Sequence, residues 1–172
     1  MNAPISALKI EQKTLSILKS LLAPSAIGKF VLTAPARLNR FAVEQAANFA
    51  LRDNLTQGDF DFLDNRLLKI VILDADLQIG LTTSQQKIRC TFFRKVDKEA
   101  ADATLSIDTS NAIKLIQQKV DPDTLFFQRK LKISGDTELA HHVKNTIDNL
   151  SPDLLPDILT SLLAKYDSKV LG

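Results

Sequence analysis

Residues able to do chemistry are few in this chain. His141 and His142 are its only histidines. As neighbours on a helix they point about 100° apart, too divergent to chelate one metal ion together. Asp74 and Asp76 could form a general acid and base pair, yet they sit in a short connector, where aspartate is favoured for turn hydrogen bonds. Asp121 and Asp123 flank Pro122, the pattern of a capping aspartate with proline at the first helical position. Cys90 shares the parity of Ile88 and Phe92, which predicts a place on the dry face of a strand as a small hydrophobe. It is inert there unless neighbours lower its pKa. No Gly-rich phosphate loop, Gly-x-Ser-x-Gly or His-Glu-x-x-His occurs, and five glycines leave little room for one. No residue constellation asks for an enzyme, which leaves a lipid-substrate enzyme as an alternative, and the expectation is a protein that is not an enzyme and needs no metal and no cofactor.

The elements that would position any site follow from patterning. At 172 residues the chain has room for one core and an extension of a few helical turns. With 45% hydrophobic and 24% charged residues it should fold on its own. The single cysteine excludes an internal disulfide and suits a reducing, cytoplasmic setting. Lys9, Glu11, Gln12 and Lys13 interrupt the apolar run that a signal peptide would need, and no window is apolar enough to span a bilayer.

Residues 1–57 are expected to form a helical extension, 58–150 a sheet-containing domain, and 151–172 a last helix. In the extension an apolar stripe at Leu8, Leu15, Leu18 and Leu22 accompanies Lys9, Lys13, Lys19 and Lys29. That combination suits the headgroup layer of an anionic membrane and predicts peripheral contact there; the same leucines would equally allow packing on the domain. A second helix is predicted over Leu38 to Leu55, with Phe41, Ala42, Gln45, Phe49 and Arg52 along one stripe, ended by Gln57-Gly58.

After Asp64 the apolar period becomes two. Strands are predicted around Leu77 to Thr82, Lys87 to Phe93, Ala103 to Ile107 and Lys130 to Ser134, and the continuous run Leu67 to Leu73 predicts a strand covered on both sides. Connectors at Asp74 to Asp76 and Thr83 to Gln86 have hairpin lengths. Helices follow Asp108, Asp121, Gly135-Asp136 and Ser151-Pro152. The fold class is therefore α+β, with about five strands in a mainly antiparallel sheet and helices on its apolar face.

The apolar coverage beside that face is abundant. Leu105, Ile107, Leu131 and Ile133 lie on the strands; Leu115, Ile116, Phe126, Phe127, Leu139, Val143 and Ile147 on the helices; and Leu155, Ile158 and Leu162 on the last helix. Each alone reads as core. Together they allow an apolar cavity between sheet and helices that takes a hydrophobic ligand, or a concave surface on which an adaptor binds a partner helix.

The string Asp121-Pro-Asp-Thr-Leu-Phe-Phe-Gln-Arg-Lys-Leu-Lys-Ile-Ser-Gly-Asp-Thr-Glu-Leu-Ala140 resembles the end of the sterol carrier protein type 2 domain, where a helix, a K-L-x-I-x-G-D strand and a final helix succeed one another. The strand Ala101 to Ile107 and helix Ala112 to Lys119 precede it in the order that fold requires, and the resemblance extends over about Asp59 to Leu150. The fuller string is most similar to one bacterial branch, accessory factors of ubiquinone biosynthesis. This resemblance implies a noncatalytic protein that holds isoprenoid quinone precursors or related lipids. It also implies service to the dioxygen-independent route beside the hydroxylase proteins UbiU and UbiV, with no nucleic acid as partner.

Overall fold

Alanine-rich sequence without glycine or proline inside it makes helix α1, Ala36–Ala50, which breaks at Leu51 and continues as α2, Arg52–Gln57. The single helix expected over 38–55 is thus two. Gly58 ends the second in the left-handed conformation. The computed structural model describes residues 23–26, 33, 35–93, 100–150, 161, 163–164 and 166. The docking residues Leu8, Lys9, Lys13, Leu15, Leu18, Lys19, Leu22 and Lys29, and the cavity residues Leu155, Ile158 and Leu162, lie outside that set.

A 3-10 turn, Asp61–Leu63, leads into β1 (Leu68–Ile72), β2 (Leu77–Ser84) and β3 (Lys87–Phe93). The chain continues with β4 (Ala103–Ile107), α3 (Thr109–Ile116), α4 (Pro122–Phe127), β5 (Leu131–Gly135) and α5 (Thr137–Asn149). Sheet order is β3-β2-β1-β4-β5, antiparallel throughout except for the parallel pair β1 and β4 at its centre. The β2–β3 link is a two-residue turn in which Gln85 and Gln86 both have positive φ, 52° and 54°, the geometry that matches strand twist.

Register sorts the side chains. Cys90, Leu81, Leu68 and Ala103 form one row across the sheet, and Phe92, Ile79, Ile70, Leu105 and Ile133 form the next, all on one face. Leu139 and Val143 of α5, four residues apart, join Leu105, Ala103 and Leu131 in the buried core, with Ile133 and Ile147 packed against it. The face opposite is closed differently from the two-sided covering expected of β1. Phe93 lies across Gly80, where a Cβ would come within 2.6 Å of the ring, and the Lys69 ammonium sits 4.8 Å from that ring's centroid. Among the described residues, the cover found over Gly80 on that face is one aromatic side chain.

Aspartates begin α3, α4 and α5, as predicted. Asp108, Asp121 and Asp136 accept from the amides of Asn111, Thr124 and Leu139 at 2.8, 2.7 and 3.0 Å. The Thr124 hydroxyl, and then its amide, hold the Asp121 carboxyl below the usual range, while the Leu139 amide and the Arg66 guanidinium do so for Asp136. Asp74 is not confined to its turn: it receives the Thr109 amide at 2.9 Å and hydroxyl at 2.8 Å, tying the β1–β2 hairpin to the start of α3.

The orientation of α1 is the main departure from the sequence pattern. Phe41, Ala42, Gln45, Phe49 and Arg52 point away from the sheet, with Phe49 79% exposed. Glu44 and Asn48 point inward. The Asn48 carboxamide pairs with both backbone groups of Ile88, accepting its N–H at 2.8 Å and donating to its carbonyl at 3.0 Å, and Glu44 accepts the Cys90 amide at 2.9 Å. Side chains of α1 thus supply the partners that another strand would give edge strand β3, which is why polar residues win the inner face. Cys90, 2% exposed, donates to the Arg40 carbonyl. Burial first, and then the Glu44 carboxylate, push its thiol up to about 11.

Candidate functional site

An apolar cavity of about 210 Å³ lies on the helical face of the sheet. Its floor follows from the parallel register, which sets Ile70 beside Leu105 and Ile72 beside Ile107. One wall is α3, where Ala112, Leu115 and Ile116 recur at helical spacing, and the other is the end of α5, with Ile147 and Leu150. Ile107 is buried and Ile116 is 49% exposed, so the cavity runs from the sheet outward to a rim on α3.

Among the described residues Gln118 is the one polar side chain in the lining. It has a φ of 52°, just past the end of α3, and its Nε2 donates to the Leu150 carbonyl, bridging to the end of α5. A second depression of about 190 Å³ shares Leu115, Gln118 and Ile147 and continues past Val120, Asp121 and Asp148. The glutamine therefore stands between an apolar chamber and a more polar approach. The chamber alone is smaller than the roughly 300 Å³ at which small-molecule sites usually begin, so a long ligand would need both.

Of the residues predicted for a cavity, Leu105, Ile107, Leu115, Ile116 and Ile147 meet around this one. Leu131, Leu139 and Val143 are buried in the adjoining core. Phe126 and Phe127 do not line it: they are 47% and 80% exposed, while Leu125, 1% exposed, takes the inward position. Three consecutive apolar residues on a helix fan out by about 100° each, so only one can face the sheet. The phenylalanines and Ile133 instead border a separate groove beside β5. Ile70, Ile72, Ala112, Gln118 and Leu150 were not foreseen. The parity of the Leu67 to Leu73 run was a usable signal for the first two; nothing local marks Gln118.

The histidines play structural parts. His142 stacks on Phe62 at 5.4 Å between centroids, and His141 pairs with Asn145 at 3.0 Å. Among the described residues no cluster of three or more His, Cys, Asp or Glu is placed to hold a metal ion, and no helix is long and apolar enough to cross a membrane.

Comparison with known proteins agrees with this architecture. The SCP-2 sterol transfer family matches residues 45–148. The ubiquinone biosynthesis accessory factor UbiT of Escherichia coli (strain K12) is 36% identical over 142 residues, covering 83% of this chain and 79% of that protein, and the protein of the same name from Escherichia coli O157:H7 aligns equally. Among solved structures, a UbiJ-SCP2 ubiquinone synthesis protein superposes with a TM-score of 0.53 at 18% identity, over 65% of this chain and 90% of that one, a likeness of fold.

Proposed function

This chain belongs to the SCP-2 sterol transfer family, and from that premise we propose that it is a noncatalytic lipid-binding accessory factor of ubiquinone biosynthesis. The single observation behind the reading is the lining of the cavity: among the described residues it consists of nine apolar residues and one glutamine, which offer contact to a hydrocarbon chain and no group that titrates. Each buried methylene contributes about 0.8 kcal/mol, so sheathing ~10 carbons supplies ~8 kcal/mol, near micromolar affinity before ordering costs. An isoprenoid quinone intermediate is the ligand we propose, with its chain end on Ile72 and Ile107 and its remainder leaving past Gln118. We further propose, from the resemblance carried by residues 121–140, service to the dioxygen-independent route in company with UbiU and UbiV.

Organic extraction of the purified protein followed by mass spectrometry tests this. The wild type should carry a prenylated lipid. Ala112→Phe places a ring in the chamber and displaces at least two or three methylenes, so the carried lipid should fall roughly thirtyfold while the fold is retained. A wild-type protein that carries a bound polypeptide and no lipid would instead establish the adaptor reading.

We also propose that the lipid is collected at the inner membrane, with the protein cytoplasmic and peripheral. Support comes from α1, whose outer face presents Leu38 and Phe41 at 62% and 60% exposure and Phe49 beside exposed Arg37, Arg40 and Arg52. The basic residues before it, Lys9, Lys13 and Lys19, would add about 1 kcal/mol each near an anionic surface. Full-length protein should cosediment with phosphatidylglycerol vesicles at low salt and detach at high salt. The combined K9A, K13A and K19A variant should bind about a hundredfold more weakly at low salt; equal binding removes the N-terminal contribution.

A further inference from the structure

The two edges of the sheet are treated unlike one another. On β3 the outward backbone groups of Ile88 and Cys90 are taken by Asn48 and Glu44. On β5 the outward groups can be identified from the register. The Asp136 amide donates to the Asp102 carbonyl at 2.7 Å, extending the antiparallel pairing of β4 with β5. Hydrogen-bonded pairs alternate, so Ser134 and Lys132 point their backbone groups at β4, while those of Leu131, Ile133 and Gly135 point outward. Among the described residues no group bonds to this outer edge.

Alongside it runs a groove of about 370 Å³ between α4 and α5, bordered by Phe126, Phe127, Ile133 and Ala140. Its ion pair between Lys144 and Asp123, at 2.7 Å, cancels its own charge. Phe127 is 80% exposed and meets Phe126 edge to face at 6.0 Å between centroids. Next to these rings Arg129, Lys130 and Lys132 are exposed, three cations on and beside the edge. Pairing with a second copy through β5 would bring these cations against their counterparts, a device by which sheets avoid self-association.

We propose that the outer edge of β5 and the groove beside it form a docking site for an extended, acidic segment of a partner protein, which adds to the sheet as a sixth strand. Main-chain groups of Leu131, Ile133 and Gly135 supply the ladder. Alternation then sends every second side chain of the added strand into the groove against Phe126 and Phe127. The others fall on the face of Lys132, where a carboxylate meets the cation. The motif recognised is thus alternating apolar and acidic residues. This surface is separate from the lipid cavity and does not depend on what fills it.

The probe is an eight-residue peptide of alternating glutamate and valine, added to the full chain while amide exchange is followed by NMR. Free protein should exchange Leu131, Ile133 and Gly135 amides rapidly, and saturating peptide should slow them at least tenfold. The exposed substitutions Lys130→Glu and Lys132→Glu together should weaken the acidic peptide about tenfold and favour its lysine-valine counterpart. Phe127→Ser should weaken both peptides and leave the free protein's fold unchanged. Three results would overturn the proposal. The first is protection of these amides without peptide at every concentration, meaning the chain covers its own edge. The second is protection that rises with protein concentration alone, meaning a second copy does. The third is peptide binding that leaves the three amides fast.

Discussion

Gly135→Ala should unfold the C-terminal half of the sheet or lower its stability by about 4 kcal/mol, seen as a fall of ~10 °C in the thermal midpoint. Two independent costs coincide. Gly135 has a φ of 100°, a conformation costly for any residue with a Cβ, and that Cβ would come within 2.3 Å of the Asp102 carbonyl oxygen and 2.9 Å of the Ala103 Cα. Both obstacles are backbone, so no rotamer change relieves them; β4 and β5 would have to part. The next residue multiplies the damage. Asp136 donates its amide to Asp102, caps α5 through Leu139 and pairs with Arg66. Moving Gly135 therefore misplaces the start of α5 and its core leucine together. A variant as stable as the wild type would show that the β4–β5 contact relaxes freely.

Leu139→Ala should cost about 3 to 4 kcal/mol, again ~10 °C in midpoint, while leaving lipid capacity per folded molecule intact. Leu139 has no exposed surface and joins a buried cluster of rigid neighbours: Leu63, Leu68, Ala103, Leu105, Leu125 and Leu131. Truncation leaves a void that the sheet on one side and α5 on the other cannot close. Because Leu139 lies in the core beside the cavity and not in its lining, stability and binding separate. Chemical denaturation gives the first quantity and lipid extraction from the folded fraction the second. Loss of lipid in proportion to nothing but Leu139 truncation would place that side chain in the site.

The family signature acquires a physical meaning here. In Lys130-Leu-Lys-Ile-Ser-Gly-Asp136, Leu131 and Ile133 alternate inward because the strand has a dry face. Gly135 is there because backbone crosses where its side chain would be, and Asp136 because α5 needs a cap and Arg66 a partner. Recognition from these few residues succeeds because each satisfies a separate backbone constraint.

What the sequence determined by itself was every property that a residue shares with its near neighbours. Period two and period 3.6 marked the strands and the inward stripe of α5 at Leu139, Val143 and Ile147; aspartates at 108, 121 and 136 marked helix starts; parity placed Cys90 on the dry face. Tertiary structure alone decided the rest. The apolar stripe of α1 pointed outward because β3, about 40 residues later, needed Asn48 and Glu44 for its open edge. Leu125 and not Phe126 or Phe127 turned inward because the sheet admits one of three adjacent side chains. The boundary between core and cavity lay along the parallel pairing of β1 with β4 and the bond from Gln118 to Leu150. Periodicity states which side of an element is apolar, but the partner of that side, and whether the space between them is filled, depends on contacts between residues far apart in the chain, which no local pattern encodes.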